Sequence, residues 1–299
     1  MDRNRLQRWL SVTLLLILAP AISAIQSPTS GPAVELFVTV MDAQKQFVKH
    51  LGTEDFEIYD RGVGQPITAV DGNPRPIHVV LLLDTSGSMR DTIDAAAGAA
   101  AEFFRLLGPS DAGLLGAFSD KVSFYPSTGF TSDVSLLGSA LKQIKLGYPT
   151  GLYDALGQSI ERLKQVSGRR VIVVFTDGED NISKSSAKDI TSRARDADVT
   201  VWSIGVINEY FDGQHRVRTS PDRGLKRLSA DSGGGFSLLR DVREWAPAFQ
   251  AVAEEIHAQY VVAFTPAVRD GKIHKLDVKV RNPGLTVRSR QSYQSGSAR

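Results

Sequence analysis

The chain has 299 residues and no cysteine, with 42% hydrophobic and 23% charged residues and a formal net charge of +2. This composition is typical of a folded globular protein, and it excludes disulfide scaffolds and zinc sites built on thiolates. The charge excess comes from Arg3, Arg5 and Arg8 opposed by Asp2. The rest of the chain is therefore neutral and gives no electrostatic reason to expect binding to nucleic acid.

Residues 1–24 predict a signal peptide. Three arginines precede an apolar run from Trp9 to Ala19, which is short for a membrane span. The run ends in small and aliphatic residues that suit cleavage after Ala24, and an uncleaved N-terminal anchor is the alternative. In both cases the body of the protein is expected to be exported. No later stretch is long and apolar enough to predict a membrane span, and a lipoprotein cysteine is lacking.

Residues 25–74 predict antiparallel strands with one buried face. Apolar residues alternate along the chain over 36–40, and the pattern continues over 56–59. A turn is predicted over 71–74, where aspartate, glycine, asparagine and proline follow one another.

Residues 75–256 alternate short apolar runs with longer segments of helical period, which predicts parallel strands with crossover helices. The runs His78–Leu83 and Val171–Phe175 are almost uninterrupted, so they predict central strands covered by helices on both faces. Further strands are predicted over 113–118, 121–125, 200–206 and 235–239, and helices over 91–107, 132–145, 152–166, 185–197, 223–230 and 242–258. A long polar insertion that begins with residues 208–215 is predicted as a loop.

Residues 257–299 return to strand-like alternation, over 275–280 and 285–288. Each flank alone is close to the size below which a core is hard to stabilise, whereas both together match a small β-sandwich. We therefore expect the two ends to pair around the central segment; edge strands added to that segment, or loose ends, are the alternatives. The predicted fold class is α/β, with a doubly wound, mostly parallel sheet and a smaller β-sandwich-like module formed by the N- and C-terminal flanks.

Oxygen-bearing side chains follow the predicted strands. Asp84, Ser86 and Ser88 come after the first central strand, Asp177 comes after the second, and Thr150 lies in a third loop. In an open parallel sheet ligands bind at the carboxyl ends of the strands, so these side chains can converge on one crevice. Carboxylate and hydroxyl oxygens are hard donors that suit Mg²⁺ or Mn²⁺.

This pattern, Asp84-x-Ser86-x-Ser88, then Thr150, then Asp177 before a glycine, resembles the metal-ion-dependent adhesion site of von Willebrand factor type A (VWA) domains. The resemblance covers roughly 76–256. It implies that the serines and the threonine bind Mg²⁺ directly, and that the aspartates bind it directly or through water. One coordination position would then be left for an Asp or Glu of a partner protein. The implied function is that of an exported, metal-dependent protein-binding module that is not an enzyme.

The flanks carry a narrower resemblance. Segments 38–42, 51–60 and 259–266 resemble a group of exported bacterial "VWFA-related" proteins. The resemblance implies a location in the bacterial periplasm, on the cell surface or outside the cell. No pattern in the sequence predicts the oligomeric state.

Other functions would use the same residues. Aspartate and serine are favoured at the start of a helix for backbone reasons, but a helix cap explains neither Thr150 nor Asp177. A haloacid-dehalogenase-type phosphatase would need a second aspartate where Ser86 stands, and an aspartic protease needs paired carboxylates on an all-β fold. A metal-dependent hydrolase using Asp84 or Asp177, and a structural envelope protein with an unused site, remain as alternatives.

Aromatic residues near the predicted crevice are candidates for contact with a partner or for internal packing. They are Tyr148 and Tyr153, which flank Thr150, and Tyr210 and Phe211 in the polar insertion.

Overall fold

The computed structural model of the chain describes residues 31–211 and 213–296, so the predicted signal peptide lies outside the described residues. The N-terminal flank forms β1 (Val34–Met41), β2 (Phe56–Asp60), β3 (Val63–Gln65) and β4 (Ile67–Asp71). The central segment forms β5 (Ile77–Asp84), α1 (Ile93–Arg105), β6 (Ala112–Phe118), β7 (Val122–Tyr125), α2 (Val134–Leu141), α3 (Leu152–Leu163), β8 (Arg169–Thr176), α4 (Ala187–Asp196), β9 (Val199–Val206), β10 (Glu209–Phe211), β11 (Arg216–Arg218), α5 (Gly224–Ser232), β12 (Phe236–Leu239) and α6 (Trp245–Ala258). The C-terminal flank forms β13 (Tyr260–Phe264), β14 (Ile273–Val280), β15 (Thr286–Arg288) and β16 (Ser292–Gln294).

The central segment is built on a sheet that has, in the described part of the chain, the strand order β12-β9-β8-β5-β6-β7. All neighbours are parallel except β6 and β7. Val79 and Leu81 face a core formed with α1 and α6, whereas Val80 and Leu82 face a core formed with α3, α4 and α5. Both faces of β5 are therefore buried, which explains why its apolar run has no polar interruption.

The flanks pair as predicted. Strand β1 pairs with β13, and β2 pairs with β14, all antiparallel. Among the described residues they form the sheets β15-β1-β13-β4 and β16-β14-β2-β3. Leu276 and Val278 on β14 are buried in a core shared by both sheets, while Lys275 on the same strand is exposed. The predicted fold class is confirmed; we call the paired flanks the β-module.

Helix α6 leads into β13 with only Gln259 between them, and buried polar contacts hold this junction. The guanidinium of Arg169 donates to the carbonyl oxygen of Ile256 at 2.5 Å and to the side-chain oxygen of Gln259. The amide of Gln259 in turn donates to Oγ1 of Thr39 on β1 at 2.8 Å. The central segment and the β-module are therefore joined by hydrogen bonds as well as by the chain.

Several predicted boundaries are wrong. The helix predicted over 132–145 ends at Leu141, because the following chain turns back until the amide of Gly147 donates to the carbonyl of Thr85 at 2.9 Å. The helix predicted over 242–258 begins as a 3₁₀ turn and becomes α6 only at Trp245. The polar insertion predicted as a loop contains the antiparallel pair β10 and β11.

Candidate metal centre

The loop after β5 holds Asp84, Ser86 and Ser88 in a fixed arrangement. Asp84 is buried, and its carboxylate accepts hydrogen bonds from the amide of Ser86 at 2.8 Å and from Oγ1 of Thr176 at 2.5 Å. The chain then makes a 3₁₀ turn over Gly87–Met89, which leaves the hydroxyl oxygens of Ser86 and Ser88 only 3.2 Å apart. A single small ligand can therefore reach both hydroxyl groups.

Asp177 is brought to the same place by the register of the sheet. Strands β5 and β8 pair in parallel, with Leu83 opposite Phe175. The loops that follow the two strands therefore begin at the same edge of the sheet. The hydroxyl of Ser88 donates to Oδ1 of Asp177 at 2.8 Å. The other carboxylate oxygen of Asp177, Oδ2, is buried and has no hydrogen-bond partner among the described residues.

Thr150 closes the site from the loop before α3. The backbone amide of Thr150 donates to the side-chain oxygen of Asn181 at 3.0 Å. The backbone amide of Asn181 donates to the carbonyl oxygen of Thr150 at 2.9 Å. A β-carbon placed on Gly178 would lie 3.5 Å from Oγ1 of Thr150 and 3.7 Å from Oδ2 of Asp84. The structure thus brings all the predicted ligand residues, Thr150 included, to one small space at the edge of the sheet.

The electrostatics of this space favour a cation. Burial raises the pKa of Asp84 to about 6, and the negative charge of Asp177 acts in the same direction. Burial also raises the pKa of Asp177, and the hydrogen bond from Ser88 acts in the opposite direction. No basic side chain of the described residues forms an ion pair with either carboxylate. Both ionised groups therefore lie in a poorly solvated place without a compensating positive charge.

The donor set fits a hard divalent ion. It consists of hydroxyl and carboxylate oxygens, the ligands that suit Mg²⁺ or Mn²⁺. In the part of the chain that the structure describes, no group of three or more His, Cys, Asp or Glu side chains is placed to hold a metal ion. The candidate centre consequently depends on serine and threonine hydroxyls together with two aspartates.

Some supporting residues were not predicted from the sequence. Asn208, at the start of the β10–β11 hairpin, donates to the carbonyl oxygen of Ser88 at 2.9 Å and to Oγ1 of Thr92 at 3.2 Å. Thr219, beyond β11, accepts a hydrogen bond from the amide of Asn208 at 2.9 Å. Thr176 carried a local signal, because it directly precedes Asp177, but nothing in a polar insertion distinguishes Asn208 or Thr219 from ordinary loop residues.

The aromatic candidates divide into packed and exposed residues. Tyr153 is buried, and its hydroxyl donates to Asp222 at 2.5 Å, so it is a packing residue. Tyr148 is 60% exposed, and its ring lies against Gly87, where a β-carbon would come within 1.5 Å of Cζ. Phe211 is 65% exposed, while Tyr210 is partly buried. Tyr148 and Phe211 are therefore available to another molecule.

Comparison with known proteins places this geometry in a family context. Residues 79–179, which contain all the candidate ligands, match the family model of the von Willebrand factor type A domain. A solved structure of a von Willebrand factor type A protein from Catenulispora acidiphila is similar to this chain, with 13% identity and a TM-score of 0.53. The similarity covers 84% of this chain and 75% of the other. The central segment has a VWA fold. We call it the VWA module.

Other solved structures agree with this fold. The ArnB paralog VWA2 from Sulfolobus acidocaldarius matches 89% of this chain over 76% of its own, with 16% identity and a TM-score of 0.50. An aerotolerance-related membrane protein from Bacteroides fragilis matches 60% of this chain over 98% of its own, with 18% identity and a TM-score of 0.50. At these identities the likeness shows the fold alone. No match to the sequence was found among curated proteins.

Among residues 31–211 and 213–296, no helix combines the length and the apolar character needed to cross a membrane.

Proposed function

We propose that the VWA module binds Mg²⁺ or Mn²⁺ through Asp84, Ser86, Ser88, Thr150 and Asp177, and that the bound ion holds an Asp or Glu side chain of a partner protein. The observation that carries this proposal is the buried Oδ2 of Asp177, which has no hydrogen-bond partner in the described part of the chain and lies beside the neutral hydroxyl oxygens of the site loop. A divalent cation would compensate both carboxylates at once, and when bound it supplies an open coordination position for a further oxygen.

The residues of the site are arranged for this role. The proton of the Ser88 hydroxyl is donated to Asp177, so Ser88 accepts in its contact with Ser86 and keeps a second lone pair for a cation. Thr176 and the amide of Ser86 hold the carboxylate of Asp84 and fix its orientation. Because three of the five proposed ligand side chains are neutral, the ion would keep much of its positive charge, which favours an incoming carboxylate.

We propose a binding role and not a catalytic one. Ser86 stands where the phosphatase mechanism needs its acid, and both oxygens of Asp84 already accept hydrogen bonds. The signal sequence over 1–24 supports export, which would place the partner in the bacterial periplasm, on the cell surface or outside the cell. The neutral mature chain argues against nucleic acid as the ligand.

The test is metal-dependent stability. Thermal unfolding of the mature chain is measured with chelator, with Mg²⁺ and with Mn²⁺, for the wild type, Ser88→Ala and Asp177→Ala. An ion that binds only the folded state stabilises it by about 2.7 kcal/mol at a hundredfold excess over Kd. The wild type should gain this stability, and both site variants should lose the gain. Asp196→Ala, which removes an exposed carboxylate on α4, is the matched control and should respond to metal as the wild type does.

Direct titration with Mn²⁺ completes the test. Absence of binding at millimolar Mn²⁺ would contradict the proposal and favour a structural envelope protein with an unused site. Turnover of model phosphate or peptide substrates that Asp84→Ala abolishes would instead favour the alternative of a metal-dependent hydrolase.

A further inference from the structure

Exposed apolar side chains lie on three separate segments that contact the loops of the candidate metal centre. Tyr148 lies on the loop before Thr150, Ile182 follows β8, and Phe211 ends β10. Their exposed fractions are 60%, 44% and 65%. We call these residues the apolar rim. None of them belongs to the buried cores of the VWA module, so their apolar surface is not explained by folding.

The rim is adjacent to the proposed ligands. The ring of Tyr148 fills the space above Gly87, the residue between Ser86 and Ser88. The side chain of Ile182 comes within 3.6 Å of the position that a β-carbon on Gly151 would take. Gly151 directly follows the proposed ligand Thr150, so Tyr148 and Ile182 lie beside two of the loops that carry the proposed ligands.

Hydrogen bonds join two segments of the apolar rim to the site loop. Gly147, next to Tyr148, donates its amide to the carbonyl of Thr85 in the site loop, at 2.9 Å. Asn208, which starts the segment leading to Phe211, is hydrogen-bonded to the carbonyl of Ser88. A surface that is fixed before binding loses little entropy when a partner covers it.

We propose that the partner of this site presents its carboxylate within an apolar segment, with an aliphatic or aromatic side chain on each side of the Asp or Glu. The carboxylate would complete the metal centre while its neighbours pack on the rim. Exposed aromatic rings around a polar centre are typical of binding hot spots, because they bury large areas and exclude water from the polar contact. This inference rests on the proposed function, since without a bound cation the carboxylate has no reason to enter.

Three capped peptides test the inference with the metal-loaded mature chain: acetyl-Leu-Asp-Phe-amide, acetyl-Gly-Asp-Gly-amide and acetyl-Leu-Asn-Phe-amide. Affinities are measured by titration in Mg²⁺ and in chelator. The Leu-Asp-Phe peptide should bind at least roughly tenfold more tightly than the Gly-Asp-Gly peptide, because it buries apolar side chains on the rim. The Leu-Asn-Phe peptide, which lacks the carboxylate, should not respond to Mg²⁺.

Variants of the rim locate the effect. Tyr148→Ala and Ile182→Ala should bring the affinity ratio of the two Asp peptides close to one, while the midpoint of Mn²⁺ binding stays unchanged. Ile273→Ala is the matched control, because Ile273 is 52% exposed but lies on β14 of the β-module. It should leave the ratio at its wild-type value.

The outcomes separate the two proposals. If both Asp peptides bind in Mg²⁺ with equal affinity, the apolar preference is wrong and the proposed function stands. If the Leu-Asn-Phe peptide binds as tightly as Leu-Asp-Phe and without metal, the rim is a nonspecific apolar surface and the inference is wrong. If Mn²⁺ binds but no peptide does, the inference fails together with the carboxylate-binding part of the proposed function, and the metal site alone remains.

Discussion

Ser88 and Asp177 are 89 residues apart in the sequence, and the hydroxyl of Ser88 donates a 2.8 Å hydrogen bond to Oδ1 of Asp177. This bond joins the loops that follow two neighbouring parallel strands. It orients a neutral oxygen and a charged one toward the same space, and it leaves the second carboxylate oxygen of Asp177 without a partner among the described residues.

Replacing Asp84 with asparagine should have opposite consequences with and without metal. Burial raises the pKa of Asp84 to about 6 from its ordinary value of 3.8, so at pH 8 the ionised group destabilises the metal-free fold by an amount on the order of 2–3 kcal/mol. Asparagine keeps the shape and can still accept the hydrogen bond from Ser86. In chelator, Asp84→Asn should therefore raise the free energy of unfolding by about 1–3 kcal/mol.

Mg²⁺ should not raise the free energy of unfolding of Asp84→Asn, whereas it should raise that of the wild type. Urea unfolding at pH 8 in chelator and in Mg²⁺ checks both halves, with Asp196→Asn as the exposed control. A loss of stability for Asp84→Asn in chelator would mean that the carboxylate is needed by the fold and not by an ion.

Removing Asn208 should weaken metal binding without unfolding the protein. Its side chain donates to the carbonyl oxygen of Ser88 and to Oγ1 of Thr92, and so holds the site loop in place. Groups that orient metal ligands typically change affinity by about 10–100-fold when they are removed. We expect Asn208→Ala to weaken Mn²⁺ binding by about tenfold, measured by titration. Asn282→Ala, in the turn after β14, should leave the affinity unchanged; equal effects of the two variants would contradict the role of Asn208.

The pair of His257 and Asp111 should make stability depend on pH. Nε2 of His257, near the end of α6, lies 2.8 Å from Oδ2 of Asp111. The hydrogen bond that His257 donates to the carboxylate of Asp111 raises the pKa of His257, against burial and the charge of Arg169, which lower it. A raised histidine pKa gives stability that is present in full below about pH 6.5 and is lost as the pH rises through the folded-state value.

His257→Gln should therefore destabilise the protein more at pH 6 than at pH 9. Urea unfolding of the wild type and the variant at both pH values measures this difference. An effect of equal size at the two pH values would show that His257 contributes packing alone.

Two glycines should respond in opposite directions to alanine. A β-carbon on Gly234, between α5 and β12, would lie 2.1 Å from the carbonyl oxygen of Val201, and that backbone atom belongs to strand β9. Gly234→Ala should therefore destabilise the protein by at least about 2 kcal/mol. Gly98 on α1 has no atom within 4 Å of its β-carbon position, so Gly98→Ala should stabilise the protein by about 0.5–1 kcal/mol. Denaturant midpoints of the two variants against the wild type check both signs.

The central strands and the ligand loops were predictable because their signals are local. The run from Val79 to Leu83 is apolar on both faces, and only a strand between two layers of helix requires that pattern. Asp84, Ser86 and Ser88 then follow at a strand end, where the topology of the fold places ligands.

The remaining parts were not predictable because they depend on contacts between distant segments. Asn208 and Thr219 support the centre only because the hairpin returns to the site loop. Helix α2 stops at Leu141 because the next segment bonds to Thr85, which no local pattern encodes. Strand β16 pairs with β14 over only three residues, and so short a strand carries almost no periodic signal.

Asp71, the last residue of β4, lies directly opposite Val261 on β13. Residues 72–259 therefore leave and re-enter the β-module at neighbouring strand ends, where Asp71 and Val261 are about 5 Å apart, as the loop of a β-hairpin does. The VWA module thus stands between β4 and β13 in the position that a turn occupies in a β-hairpin. A different domain whose two ends lie equally close would fit at the same position without a change in the strand order of either flanking sheet.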